Sequence, residues 1–273
     1  MTSFELLIDL LDQPVFRKGI LTQITGSETK DGENIFLKSF ELLLKGHTNL
    51  GPRDMVKAKI ISEFVRFVIS RYTDMEGARK YLDNPRLGPY FGEMVERGLL
   101  TTLKGIEKYG IKRKPFIPSA PYFVVWNFTN RCNLKCKHCY EWKENNDNEL
   151  TLKEKINVVD QLDEMKVASL AVSGGEPLVS PDFVPVSAHV NSKEMYHALA
   201  TNGTLLNQDM VQKIKNLRYA YVQVSVDGDR KTHNHFRGSD SYDRTMEGID
   251  NLVDADVLTS IATTLTVYNK DQI

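Results

Sequence analysis

The chain has 273 residues, 41% hydrophobic and 26% charged, with 35 Lys+Arg against 36 Asp+Glu and a formal net charge of -1. That balance gives no electrostatic case for nucleic acid or an anionic membrane, and no apolar run is long enough to cross a bilayer. Three cysteines cannot pair fully, and the N-terminus lacks the basic-then-apolar pattern of a secretion leader, so the chain reads as a cytoplasmic protein of a reducing compartment.

Residues 1–115 are rich in helix formers and are expected to form a mostly helical N-terminal accessory region. Within it, 54–72 carries Met55, Ile60, Ile61, Phe64, Val65, Phe67, Val68 and Ile69, a wide apolar surface suited to packing between helices. Stripes at this spacing are core more often than cofactor boxes, and docking of a peptide or partner is the other use of such a surface. Residues 112–121, with three prolines, form the expected linker, and neither repeats nor low-complexity tracts occur.

From 116 to 273 short β-branched and aromatic runs alternate with amphipathic stretches. Strands are expected at 122–128, 168–174, 196–203, 219–228 and 258–268. Helices are expected at 151–166, from about 181, at 208–217 and at 242–255. Thr151 and Glu154 form a capping box for the first helix, and Ile156, Val159, Leu162 and Met165 mark its inner face. Such βαβ steps imply a parallel sheet, and the polar and glycine clusters follow the strands, at the edge where parallel α/β folds build their sites.

The first of these clusters holds every thiol in the chain: Cys132, Cys136 and Cys139. Thiolates suit zinc or an iron-sulfur cluster. Structural zinc usually closes two separated ligand pairs, and the second pair is missing here; His138, His233 or His235 could complete a Cys3His set. A 4Fe-4S cluster with three protein ligands instead leaves one iron open to something other than protein.

The spacing C-x3-C-x2-C followed by Tyr140, within "FTNRCNLKCKHCYEW", resembles the signature of the radical S-adenosylmethionine (radical SAM) superfamily. The branch it is similar to contains sulfatase-maturating and peptide-modifying enzymes and the molybdenum cofactor cyclase. The resemblance implies a partial parallel (β/α) barrel and a 4Fe-4S cluster on Cys132, Cys136 and Cys139. It also implies S-adenosyl-L-methionine (SAM) on the open iron, cleaved by one electron to methionine and a 5'-deoxyadenosyl radical. "GGEP", Gly174, Gly175, Glu176 and Pro177, matches the family's second motif, where glycine backbones and the glutamate bind the SAM amino group. By the same resemblance Thr201 and Asn202 or Ser225 bind its carboxylate or ribose, Asp227 lies nearby, and Arg237, ending an H-x3-R-G stretch that starts at His233, pairs with the carboxylate. The bland readings are turns for "TNG" and "DG" and structural roles for His233 and His235.

The expected function is hydrogen abstraction from a peptide, protein or cofactor precursor, with electrons from a reductase, flavodoxin or ferredoxin. A zinc-stabilised interaction module and a degenerate SAM-binding partner subunit are the alternatives. The family's barrel has six strands and this branch often adds a cysteine-rich C-terminal domain, so the chain is expected to be a fragment that stops after strand five.

Overall fold

A computed structural model describes residues 9, 12–26, 35, 36, 38, 39, 42, 46–69, 88–110, 112, 117–139, 149–193, 195–238 and 240–272. Two compact units result: Met1–Tyr122 with Met165–Ala168, and Phe123–Glu164 with Ser169–Ile273.

In the first unit, short helical turns at Pro14–Phe16, Arg17–Leu21 and Thr22–Gly26 precede helices α1 (Pro52–Ile69) and α2 (Gly88–Tyr109). Ile35, Phe36, Ala58, Ile61 and Leu100 form a buried cluster. Of the apolar residues of α1 whose side chains are described, Ile61 is buried while Ile60, about 100° round the helix, is 67% exposed; the side chains of Phe64, Val65, Phe67, Val68 and Ile69 lie outside the described ones. Residues 70–72 of that stretch and 113–116 of the linker lie outside the described residues. Gly105 of α2 faces the proline-rich segment, where a Cβ would stand 2.5 Å from the Ile117 carbonyl oxygen.

The second unit is one five-stranded sheet: β1 (Phe123–Asn127), β2 (Ser169–Ser173), β3 (Tyr196–Thr201), β4 (Tyr221–Ser225) and β5 (Thr259–Ala262). All four ladders are parallel and join strands consecutive in sequence. Between them run α3 (Leu152–Glu164), α4 (Phe183–Ser192), α5 (Gln208–Asn216), α6 (Arg230–Arg237) and α7 (Ser241–Asp254). One sheet face carries Leu170, Val172, Leu199, Val222 and Val224, all buried. By strand alternation the other face carries Phe123, Val125, Tyr196 and Tyr221 toward the strand starts and smaller or polar side chains, among them Ser173, Ala200, Gln223 and Ser225, toward the C-terminal edge.

Local chemistry explains where the elements begin and end. Thr151 and Glu154 make the expected capping box, with the Thr151 N–H donating to Glu154 Oε2 at 2.8 Å. Val159 and Leu162 are buried as expected, but Met165 lies past the helix end and is 47% exposed. Buried in that helix instead is Lys155, whose Nζ donates to Asp182 Oδ2 at 2.8 Å and stands 4.5 Å from the centre of the Phe128 ring. A buried ammonium needs such a partner, because water is no longer there to solvate it.

Strand β5 is much shorter than the run 258–268. After Ala262 the Thr264 N–H donates to Asp227 Oδ1 (3.0 Å) and the Thr266 N–H to Asn269 Oδ1 (2.7 Å), so side-chain acceptors take donors that a ladder would use. Helix α6 was not expected at all. Its sequence, RKTHNHFR, is too polar to show an apolar stripe, and the helix starts where Asp229 Oδ1 accepts the Thr232 N–H at 2.8 Å.

Candidate active site at the C-terminal edge of the sheet

The segments leaving β1 to β4 meet at one end of the sheet. The cysteine loop is fastened to the turn after β2 by backbone alone: Gly175 N–H donates to the Thr129 carbonyl (2.7 Å) and Glu176 N–H to the Arg131 carbonyl (2.8 Å). Glycine is required there. Gly174 has φ +122°, and a Cβ on Gly175 would lie 2.3 Å from Arg131 O. From the outside Glu149 braces the same loop, accepting from Thr129 Oγ1 (2.6 Å), Asn130 N–H (2.8 Å) and Arg131 Nη2 (3.1 Å).

Cys132 and Cys139 are exposed and Cys136 half-buried. The Leu134 N–H approaches Cys132 Sγ at 3.4 Å and Asn202 Nδ2 approaches it at 4.0 Å. Asn202 Nδ2 also donates to Asn133 Oδ1 at 2.9 Å, which ties the loop to the end of β3. Burial pushes the Cys132 and Cys136 thiols up, while the Arg237 charge beside Cys136 works the other way.

Glu176 is wholly buried. Its Oε1 accepts from Thr201 Oγ1 (2.8 Å) and Leu178 N–H (3.2 Å), and its Oε2 from Asn202 N–H (2.7 Å). A carboxylate has about four acceptor positions, so about one is left for a ligand. Pro177, also buried, opens the turn Pro177–Val179. Burial pushes the Glu176 carboxyl up to about 7, against the pull of Asn202, Thr201, Leu178 and Arg237. A raised folded pKa means the native chain binds the proton more tightly than the unfolded one. The contribution is therefore fully present below about pH 4.5 and is lost as pH rises through about 7, a swing of order 3 kcal/mol. Urea unfolding of the metal-free chain at pH 4.5 and 8 is expected to show this loss, and Glu176→Gln is expected to remove that share of it; equal pH dependence in both proteins would contradict it.

Asp227, just beyond β4, is buried between three segments. Its Oδ2 accepts from Arg237 Nε (2.6 Å), with His138 Nε2 3.4 Å away, and its Oδ1 accepts from Thr264 N–H (3.0 Å). Burial works to raise this carboxyl, but the Arg237 hydrogen bond and charge, together with the Thr264 N–H and His138, outweigh it and hold it below the usual value. Ser225 ends β4 on the same sheet face as Ala200 and Gln223.

Of the residues singled out from sequence, the cysteines, Gly174 to Pro177, Thr201, Asn202, Ser225, Asp227 and Arg237 all lie along this edge; Tyr140 lies outside the described residues. The histidines are engaged elsewhere than a Cys3His site. His138 turns to Asp227, His233 accepts the Asp227 N–H at Nδ1 (3.3 Å), and His235 packs on Phe236 and Tyr268. His233 is buried and neutral, pushed down to about 4 by burial and by Arg237. Among the described residues no three Cys, His, Asp or Glu side chains converge on one point that would hold a metal ion. Glu149 and Asn133 were not foreseen, since neither stands in a recognisable spacing to the cysteines.

Residues 126–273 match the Radical SAM superfamily. The chain is 36% identical over 149 residues to the Fe-coproporphyrin III synthase of Methanosarcina barkeri, covering 54% of this chain and 37% of that protein. It is 35% identical over 159 residues to the AdoMet-dependent heme synthase of the same organism, covering 57% of this chain and 46% of that one. It thus spans less than half the length of these curated relatives. Among solved structures, Streptococcus suis SuiB bound to S-adenosylmethionine is similar in fold, with a TM-score of 0.56, 19% identity, and 86% of this chain and 51% of that one covered.

Proposed function

The chain belongs to the radical SAM superfamily, and on that footing we propose that residues 116–273 bind a 4Fe-4S cluster and SAM at the C-terminal edge of the sheet, residues 1–115 being an accessory region. The observation that carries this reading is the meeting, on that one edge, of three thiols, a glycine turn with a buried carboxylate, and a guanidinium with open donors.

Cys132, Cys136 and Cys139 would hold the cluster, one thiolate to an iron. When bound, such a cluster would supply one electron for reductive cleavage of the SAM C–S bond, the chemistry that yields methionine and a 5'-deoxyadenosyl radical for hydrogen abstraction. The chain's own part is placement. The strand-two turn, with Gly174 and Gly175 admitting close backbone approach and Glu176 offering its remaining acceptor position, receives the SAM ammonium. Arg237 receives the carboxylate, and Thr201, Asn202 and Ser225 line the path to the ribose. Tyr140 would close the motif beside Cys139. Electrons come from a reductase, flavodoxin or ferredoxin.

For substrate, we favour a cofactor precursor of the tetrapyrrole class over a peptide. Both relatives named above are synthases named for haem or coproporphyrin. Anaerobic reconstitution is expected to give a brown protein with about four irons that forms 5'-deoxyadenosine from SAM and a strong reductant. Stoichiometric zinc with no iron uptake would sink this reading and favour the interaction module. Iron uptake without SAM binding would favour the degenerate partner subunit.

A further inference from the structure

We propose that Asp227 is a positioning residue that binds no ligand itself but fixes the Arg237 guanidinium beside the cysteine loop. This inference rests on the reading of the edge as a cluster and SAM site, and it gives Asp227, expected from the resemblance among the cofactor-binding residues, a different role.

Each polar group of Asp227 has a protein partner. Besides the three contacts of its carboxylate, its N–H donates to His233 Nδ1 and its carbonyl accepts from Asn269 Nδ2 at 3.2 Å. The side chain is 1% exposed. Both carboxylate oxygens thus face protein partners rather than solvent.

Arg237 is in the opposite state. Only its Nε is used by protein among the described residues, which leaves the N–H donors of both terminal nitrogens open. Held at Nε and 11% exposed, the guanidinium has little freedom to turn away. Its backbone is pinned as well: the Phe236 carbonyl accepts the Lys137 N–H of the cysteine loop at 2.8 Å, and Gly238 N–H donates to the Asn234 carbonyl at 3.0 Å. Arg237 is near enough to Cys136 for its charge to act on that thiol. A fork that is aimed in advance loses less entropy when it takes up a carboxylate. Asp227 supplies the aim, and through His138 it holds the loop on the same oxygen.

The test is Asp227→Asn in the full chain, which keeps the shape and removes the charge. SAM affinity, iron content and the change that SAM produces in the EPR spectrum of the reduced cluster are read together. Iron content is expected to stay at the wild-type level, SAM affinity to fall by about 10- to 100-fold, the range set by one charge-assisted hydrogen bond, and the spectral change at a fixed SAM concentration to shrink in step. In an Arg237→Ala background the same substitution is expected to change affinity less than twofold, because there is no guanidinium left to aim. Unchanged SAM affinity in Asp227→Asn, or an equal further loss in the Arg237→Ala background, overturns the proposal. If Asp227→Asn does not fold, Asp227→Glu, which keeps the charge but displaces it by one methylene, takes its place; affinity within twofold of wild type then overturns it. A wild-type protein that takes up iron but does not bind SAM overturns the functional reading and this proposal with it, an outcome distinct from failure of the variant alone.

Discussion

Cys136→Ala is expected to reduce bound iron from about four per chain to near zero and to abolish 5'-deoxyadenosine formation, while the fold survives. The reason lies in the small number of ligands. A 4Fe-4S cluster held by three thiolates would have no protein donor to spare, so removing one would leave a second iron without a protein ligand. The fold survives because Cys136 is a half-buried loop residue, and the loop's anchors are elsewhere: Gly175 to Thr129, Glu176 to Arg131, Lys137 to Phe236, and the brace from Glu149. Iron analysis, the visible spectrum and far-UV circular dichroism on one preparation check both halves. Retention of a full complement of iron would remove Cys136 from the site.

Gly175→Ala is expected to do the reverse, damaging the fold first and the site as a consequence. The new methyl would lie 2.3 Å from Arg131 O and 2.8 Å from Arg131 C, both backbone atoms that cannot rotate aside. Either the cysteine loop or the turn after β2 must move, and the Gly175 and Glu176 N–H bonds across the gap go with it. Overpacking costs about 1–3 kcal/mol and each lost hydrogen bond about 0.5–1.5, so a loss of about 3–5 kcal/mol is expected. In a marginally stable domain that is a large share of the total. Urea unfolding should show it as a lower midpoint, with iron uptake falling in parallel. A midpoint equal to that of wild type would mean that the two segments are not in contact.

Most of the sheet was legible because its strands announce themselves locally: each is a short β-branched or aromatic run ended by glycine, proline or a polar turn. The thiols and the "GGEP" turn were legible for a different reason, since their chemistry forces close spacing in sequence. The contacts that complete the site join residues far apart along the chain, and no periodicity records them. Glu149 reaches back to Arg131, His138 forward to Asp227, and Asn202 back to Asn133. Helix α6 was hidden because its eight residues are mostly polar, although Asp229 and Thr232 stand at the spacing of a cap. The end of β5 was hidden because 263–268 is as β-prone as 258–262, and only the acceptors on Asp227 and Asn269 tell them apart.

Strand order also dictates a timetable. Each ladder joins neighbours in sequence, so the sheet can grow one strand at a time as the chain leaves the ribosome. The cysteine loop comes out with β1, and its backbone anchor on Gly175 becomes available once β2 follows. Arg237 trails Cys132 by about 100 residues, which at about 5–20 residues per second is roughly 5 to 20 s of synthesis. During that interval the three thiols stand in a loop that lacks its guanidinium and its link to α6. A nascent chain is thus most open to oxidants and stray metal ions before its site is finished.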